Sequence, residues 1–193
     1  MFGKTKIAVA LIGMFGLMAG AQAEAWSFGV ISDTQWLNGA DPTQNTVATG
    51  VIDLVNKQFI KAKVDLVVQV GDLTDVGNAT SLQTRYNANA DLTAAGIGFY
   101  SLRGNHEGSA SNATSFKSIY NYTGAGYSSP NSDLTGLTYS FTHNNAKFVM
   151  FDQFTTSNSK TYTVNDQQSW ISSQLSANDH QQAFFFSHKN LLG

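Results

Sequence analysis

Apolar and polar positions alternate along this chain in two periods. From Ala48 the apolar residues Val51, Ile52, Val55, Phe59 and Ala62 recur at three- and four-residue steps, which predicts a helix over 45–63. Shorter runs are apolar almost throughout: Trp26 to Ser32, Val64 to Val70 and Ile97 to Leu102. All three read as strands, and the mostly apolar Val64 to Val70 has the pattern of one covered on both faces in a parallel sheet. Strand, helix, strand in this order is a βαβ unit. A thinner stripe of Leu82, Tyr86 and Ala90 predicts a second helix over 80–95, stopped by Gly96. Residues 112–122 read as a short surface helix. Leu137 to Phe141 and Ala146 to Asp152 flank His143-Asn144-Asn145 as an antiparallel hairpin. A long helix over 164–175 and a last strand over 182–187 complete the order, with turn-rich loops at 33–44, 124–132 and 155–159.

The fold class is therefore α/β. No internal repeat, low-complexity tract or interdomain linker interrupts it. A length of 193 residues suits one domain with a proper core, and 42% hydrophobic residues can fill it.

The first 23 residues do not belong to that pattern. Lys4 and Lys6 open them, an apolar stretch runs from Ile7 to Gly20, and Ala21-Gln22-Ala23 puts small residues where a signal peptidase reads. The stretch is shorter than the roughly 20 apolar residues that span a bilayer. A secretory signal over 1–23 and a mature domain over 24–193 are expected, with export to a periplasm or to the medium. No membrane span is expected in the mature chain.

Removing 1–23 removes two lysines and no acid, leaving nine Lys and Arg against thirteen Asp and Glu, a formal charge of −4. No basic stripe remains to attract nucleic acid. Charged residues are 12% of the chain, against roughly 25% in an average domain. The absence of cysteine excludes disulfides, thiolate nucleophiles and cysteine zinc sites.

Candidate chemistry sits where the apolar runs stop. Val30-Ile31 leads to Asp33 and Gln35, and Val70 to Gly71-Asp72 and Asp75. Leu102 leads to Gly104-Asn105-His106-Glu107, and Phe184-Phe185-Phe186 to His188. Sites in open α/β sheets form outside the carboxyl ends of the strands. Carboxylate, amide and imidazole groups arriving there together suit a polynuclear metal site. Two divalent ions roughly 3.5–4 Å apart can activate water and neutralise phosphoryl oxygens. A carboxylate bridges such a pair, while imidazole and amide groups complete the shells without cancelling its charge.

In order and spacing, Asp-x-Gln, Gly-Asp-x-x-Asp, Gly-Asn-His-Glu and a later His resemble the calcineurin-like metallophosphoesterases, from Ser32 to His188. The resemblance implies a two-sheet α/β sandwich and hydrolysis of phosphate mono- or diesters by attack of a metal-bound hydroxide. It implies two divalent cations, such as Mn, Fe or Zn, and a small phosphate-ester substrate. Asp33 would hold the first ion and Asp72 would bridge both. Asn105 and His188 would hold the second. His106 would act as general acid, since an imidazole titrates near working pH. Asp75 and Glu107 would orient ligands, and Gly71 and Gly104 would allow sharp turns.

Two departures accompany the resemblance. Gln35 stands where the family usually places His, offering a harder oxygen ligand or none. The family's later Gly-His-x-His motif is not found before Gly193, so the expected fold is incomplete at its C-terminal end. A non-catalytic fragment, or a degenerate metal-binding member, is the alternative. An exported phosphate- or sugar-binding module would explain the pocket but not the acid-and-imidazole pattern. Arg103 is open between a phosphate contact and a solvated charge. His143 and His180 read as surface residues, and Phe184 to Phe186 as core. No G-x-S-x-G nucleophile elbow is present.

Overall fold

The computed structural model describes residues 25–36, 46–177 and 182–191. The expected export signal, the turn dipeptides of 37–45 and His180 lie outside the described residues. β1 (Phe28–Ile31), α1 (Thr49–Ala62) and β2 (Leu66–Val70) form the expected βαβ unit. β2 then pairs in parallel with β3 (Gly98–Leu102), giving a sheet ordered β1-β2-β3.

A second sheet is ordered β4-β5-β6. β4 (Tyr139–His143) and β5 (Ala146–Phe151) are antiparallel, while β6 (Gln182–Ser187) runs parallel to β5. The molecule is a two-sheet α/β sandwich. Alternating strand faces build its middle. Leu66, Val68 and Leu102 of one sheet meet Tyr139, Phe141, Phe148 and Met150 of the other, all buried. Tyr100 stacks on Phe141 with ring centroids 3.9 Å apart. Burial of such side chains stabilises by roughly 1.5–3 kcal/mol each.

On the outer face of the first sheet, Val64, Val67, Leu92 and Ile97 form a smaller core with Phe59 of α1. Gly29 admits that ring, because a Cβ there would stand 2.5 Å from Phe59 Cε1. α5 (Val164–Ser176) lies against β5 and opens with a capping box between Thr163 and Asp166.

Four local expectations need correction. The helix expected over 80–95 is two, α2 (Ala79–Asn87) and α3 (Ala90–Ala94). Asn56 of α1 donates to the Ala88 carbonyl at 2.8 Å, which takes that carbonyl out of the helical series at the break, and Arg85 Nη1 donates to the Asn89 side chain. α4 (Ala110–Tyr120) is not a surface helix, since Ala113, Phe116 and Tyr120 join the main core. His143 ends β4 rather than sitting in the turn, which is Asn144-Asn145 alone. It is half-buried against Trp26, 3.8 Å from Asp65 Oδ1. Of the three phenylalanines of β6, Phe184 and Phe186 pack on the main core, while Phe185 turns away toward Phe151. No helix among the described residues is long and apolar enough to cross a membrane.

Candidate metal centre

All four chemistry-bearing loops reach the same end of the sandwich. β1, β2 and β3 are parallel, so their carboxyl ends share one edge. Beyond them, Asp33 N–H donates to Gly71 O and Thr34 N–H to Asp72 O at 2.9 Å, zipping the first two loops together. β6 delivers His188 over Gly71. A side chain at Gly71 would collide with that imidazole, and its φ of +77° is left-handed as well, so glycine is required twice over. Gly104 is required by closeness alone, because a Cβ there would strike Asp72; it does not adopt positive φ.

Asp33, Asp72 and His188 present ligand atoms all within 4.8 Å of one another. Asp33 and Asp72 both sit in the left-handed region, at φ 54° and 45°. Non-glycine residues pay for that conformation, and such strain clusters at functional sites. Asp72 is nearly buried, whereas Asp33 is exposed with Ser32 Oγ 2.5 Å from its Oδ2.

The tautomer of His188 follows from its partners. Val70 O, at 3.0 Å from Nδ1, can only accept, so Nδ1 carries the proton. Nε2 faces Asn105 Oδ1 at 3.1 Å and Asp72 Oδ1 at 3.4 Å. A ring nitrogen and two oxygens thus converge, a set of atoms that can bind a divalent cation in place of a ring proton. Carboxylate and amide oxygens with one imidazole nitrogen suit divalent ions such as Mn, Fe or Zn.

Gln35 also reaches the centre. Its Nε2 donates to Asp72 Oδ2 at 3.3 Å, and its Oε1 is buried with no hydrogen-bond partner among the described residues.

His106 stands beside this cluster. Its backbone N–H donates to Asp72 Oδ1, and Nδ1 donates to Asp75 O at 2.6 Å. Nε2 lies 3.8 Å from Asp72 Oδ2. The Asp75 carbonyl bond raises its pKa above the ordinary imidazole value, opposed by burial and helped by the charges of Asp72, Asp75 and Glu107. Asp75 thus orients His106 through its carbonyl. Glu107 is wholly buried and accepts from Thr74 N, Thr74 Oγ1 and Gly104 N, so it joins two loops. Burial raises its carboxyl pKa, and those hydrogen bonds hold the rise back.

Arg103 contacts neither solvent nor an open phosphate site. It is wholly buried, paired with Asp152 and bonded to the carbonyls of Glu107, Ser109 and Thr155. Asp152 was missed as a candidate although it carries the same signature as Asp33 and Asp72, an apolar run ending in an acid. Thr34, Gln69 and Arg85, buried beneath the loops, have no sequence signal of their own.

No curated protein matches the chain. Among solved structures, it resembles a dimetal phosphatase from Danio rerio, 24% identical over 79% of this chain and 53% of that one, with a TM-score of 0.49. It also resembles a purple acid phosphatase from yellow lupin (Lupinus luteus) seeds, 16% identical over 87% of this chain and 31% of that one, with a TM-score of 0.50. This chain spans about half the length of the first and less than a third of the second. At such identity the lupin likeness speaks for the sandwich fold alone. The sequence profile described as calcineurin-like phosphoesterase matches residues 27–192, which take in all four loops of the centre. The chain therefore belongs to the calcineurin-like phosphoesterase family.

Proposed function

We propose that this chain carries the catalytic centre of an exported, metal-dependent phosphoesterase acting on small phosphate mono- or diesters. The observation that carries the reading is the convergence of His188 Nε2, Asn105 Oδ1 and Asp72 Oδ1 beside Asp33. In this reading Asp33, with the Gln35 amide oxygen, would hold one divalent ion, Asn105 with His188 would hold the other, and Asp72 would serve both. A bound pair of divalent ions neutralises the phosphoryl oxygens and activates the attacking water.

The remaining work falls to the chain's own groups. His106, anchored by the Asp75 carbonyl, keeps Nε2 toward the centre and holds the proton that the leaving oxygen needs. Glu107 and Arg103 hold the loops that aim these groups.

Hydrolysis of para-nitrophenyl phosphate and its bis-ester, measured before and after chelation, tests the activity. Asp72→Asn is expected to lose metal and turnover together, whereas His106→Ala loses turnover and keeps metal. Equal metal loss in both variants contradicts the division of roles. Export rests on the pattern of residues 1–23. Recovery of a product beginning at Glu24 outside the cytoplasm would support it, and a cytoplasmic product retaining Met1 would reject it.

A further inference from the structure

A buried guanidinium lies under the two aspartate loops and takes no part in the chemistry above. Arg85 is wholly buried, and none of its partners among the described residues is a carboxylate. Nε donates to Thr34 Oγ1 at 3.1 Å, Nη1 to Asn89 Oδ1 at 2.6 Å and Nη2 to Gln69 Oε1 at 2.6 Å. The guanidinium plane also lies 4.8 Å from the centre of the Phe99 ring.

What those partners do next gives the arrangement its meaning. Thr34 Oγ1 donates to Leu73 O, and Gln69 Nε2 donates to both Thr34 Oγ1 and Gly71 O. Thr34 follows Asp33, and Gly71 and Leu73 flank Asp72. Every hydrogen bond leaving Arg85 toward the first sheet therefore ends on backbone next to one of the two strained aspartates. Strained conformations persist only where the surroundings over-determine them. A buried polar network that is fully satisfied fixes one arrangement, and one that loses a member is costly.

We propose that Arg85 is a positioning residue for the metal centre, a strut that holds Asp33 and Asp72 in their left-handed, metal-facing conformations through Thr34 and Gln69. The proposal rests on the metal-binding reading of those aspartates. Lysine cannot replace arginine here, since a point charge on a flexible stem lacks the planar fork that reaches three acceptors at once. Arg85 touches neither ion nor substrate and acts only by geometry.

Mn2+ titration calorimetry of the full chain tests this, together with the visible spectrum of the Co2+-loaded protein. Both are recorded where circular dichroism shows each variant folded. Arg85→Lys and Arg85→Met are expected to bind Mn2+ at least tenfold more weakly than the parent and to show an altered Co2+ spectrum. Thr34→Val removes the hinge of the network without touching Arg85, so it keeps the proposal testable should the arginine variants not fold. It is expected to weaken Mn2+ binding in the same direction, and Arg85→Met/Thr34→Val to lose no more than Arg85→Met alone. Lowered melting temperatures with unchanged Mn2+ affinity and Co2+ spectrum would overturn the proposal, leaving Arg85 a scaffold residue. A parent protein that binds no Mn2+ or Co2+ would instead overturn the metal reading itself.

Discussion

Arg103 grips the carboxylate of Asp152 from two nitrogens, at 2.7 and 2.8 Å, with both side chains wholly buried. The pair joins the end of β3 in one sheet to the end of β5 in the other, directly behind the loop that carries Asn105 and His106. Losing one partner strands the other charge in the interior, so Asp152→Ala is expected to cost about 3–5 kcal/mol in denaturant unfolding. An isolated buried pair can often be exchanged for apolar residues at little cost. Here the exchange fails, because Arg103 Nη1 also serves three carbonyls that would lose their donor. Arg103→Met/Asp152→Leu is thus expected to stay well below the parent in stability, and parental stability in that double variant would refute the argument.

Gly71 and Gly104 face opposite tests. Gly71→Ala imposes a left-handed alanine and pushes the His188 ring aside, with a cost of about 1–3 kcal/mol and at least a tenfold loss of divalent-cation affinity. Gly104→Ala carries no backbone strain but drives a methyl group into Asp72, so metal affinity falls by more than stability does. Titration calorimetry beside thermal melts separates the two effects. Unchanged cation affinity in both variants would show that neither His188 nor Asp72 is a ligand.

Gln35 offers a change toward tighter binding. Gln35→His supplies an imidazole nitrogen in place of an amide whose oxygen has no partner among the described residues. Imidazole suits zinc better than an amide oxygen does. The expected result is a tenfold or greater gain in Zn2+ affinity, read by competition with a chromogenic chelator. A loss of affinity would mean that Gln35 serves Asp72 as a hydrogen-bond donor and nothing more.

Thr163 provides the contrast of a residue that matters only locally. Thr163→Ala removes the capping box of α5, where its hydroxyl and Asp166 close the first turn. Stability is expected to fall by about 1 kcal/mol with metal affinity unchanged. A shift in cation affinity would show that α5 reaches the centre through Gln167 Nε2, which donates to the Asp152 carbonyl at 3.0 Å.

The readable part of this molecule was what periodicity and strand-end chemistry record. α1 and β6 fall where their apolar patterns put them, and Asp33, Asp72, Asn105 and His188 come together as the parallel strands require. The break between α2 and α3 was not legible, because Asn56, which takes the Ala88 carbonyl, comes from α1 and so from outside the segment. Nor was the burial of α4, whose stripe of Ala113, Phe116 and Tyr120 is short and flanked by serines and threonines. Arg85 and Arg103 illustrate the same limit: a local pattern marks a charged residue as solvated, and only the fold shows the partners that bury it.

Crystals of the full chain grown with Mn2+, with diffraction collected at the manganese edge, give the most direct measurement. Two anomalous peaks are expected, both within coordination distance of the Asp72 carboxylate, one beside Asp33 and the other beside Asn105 and His188. An anomalous map with no peak at Asp72, from crystals in which Mn2+ is present, would contradict the account at its root.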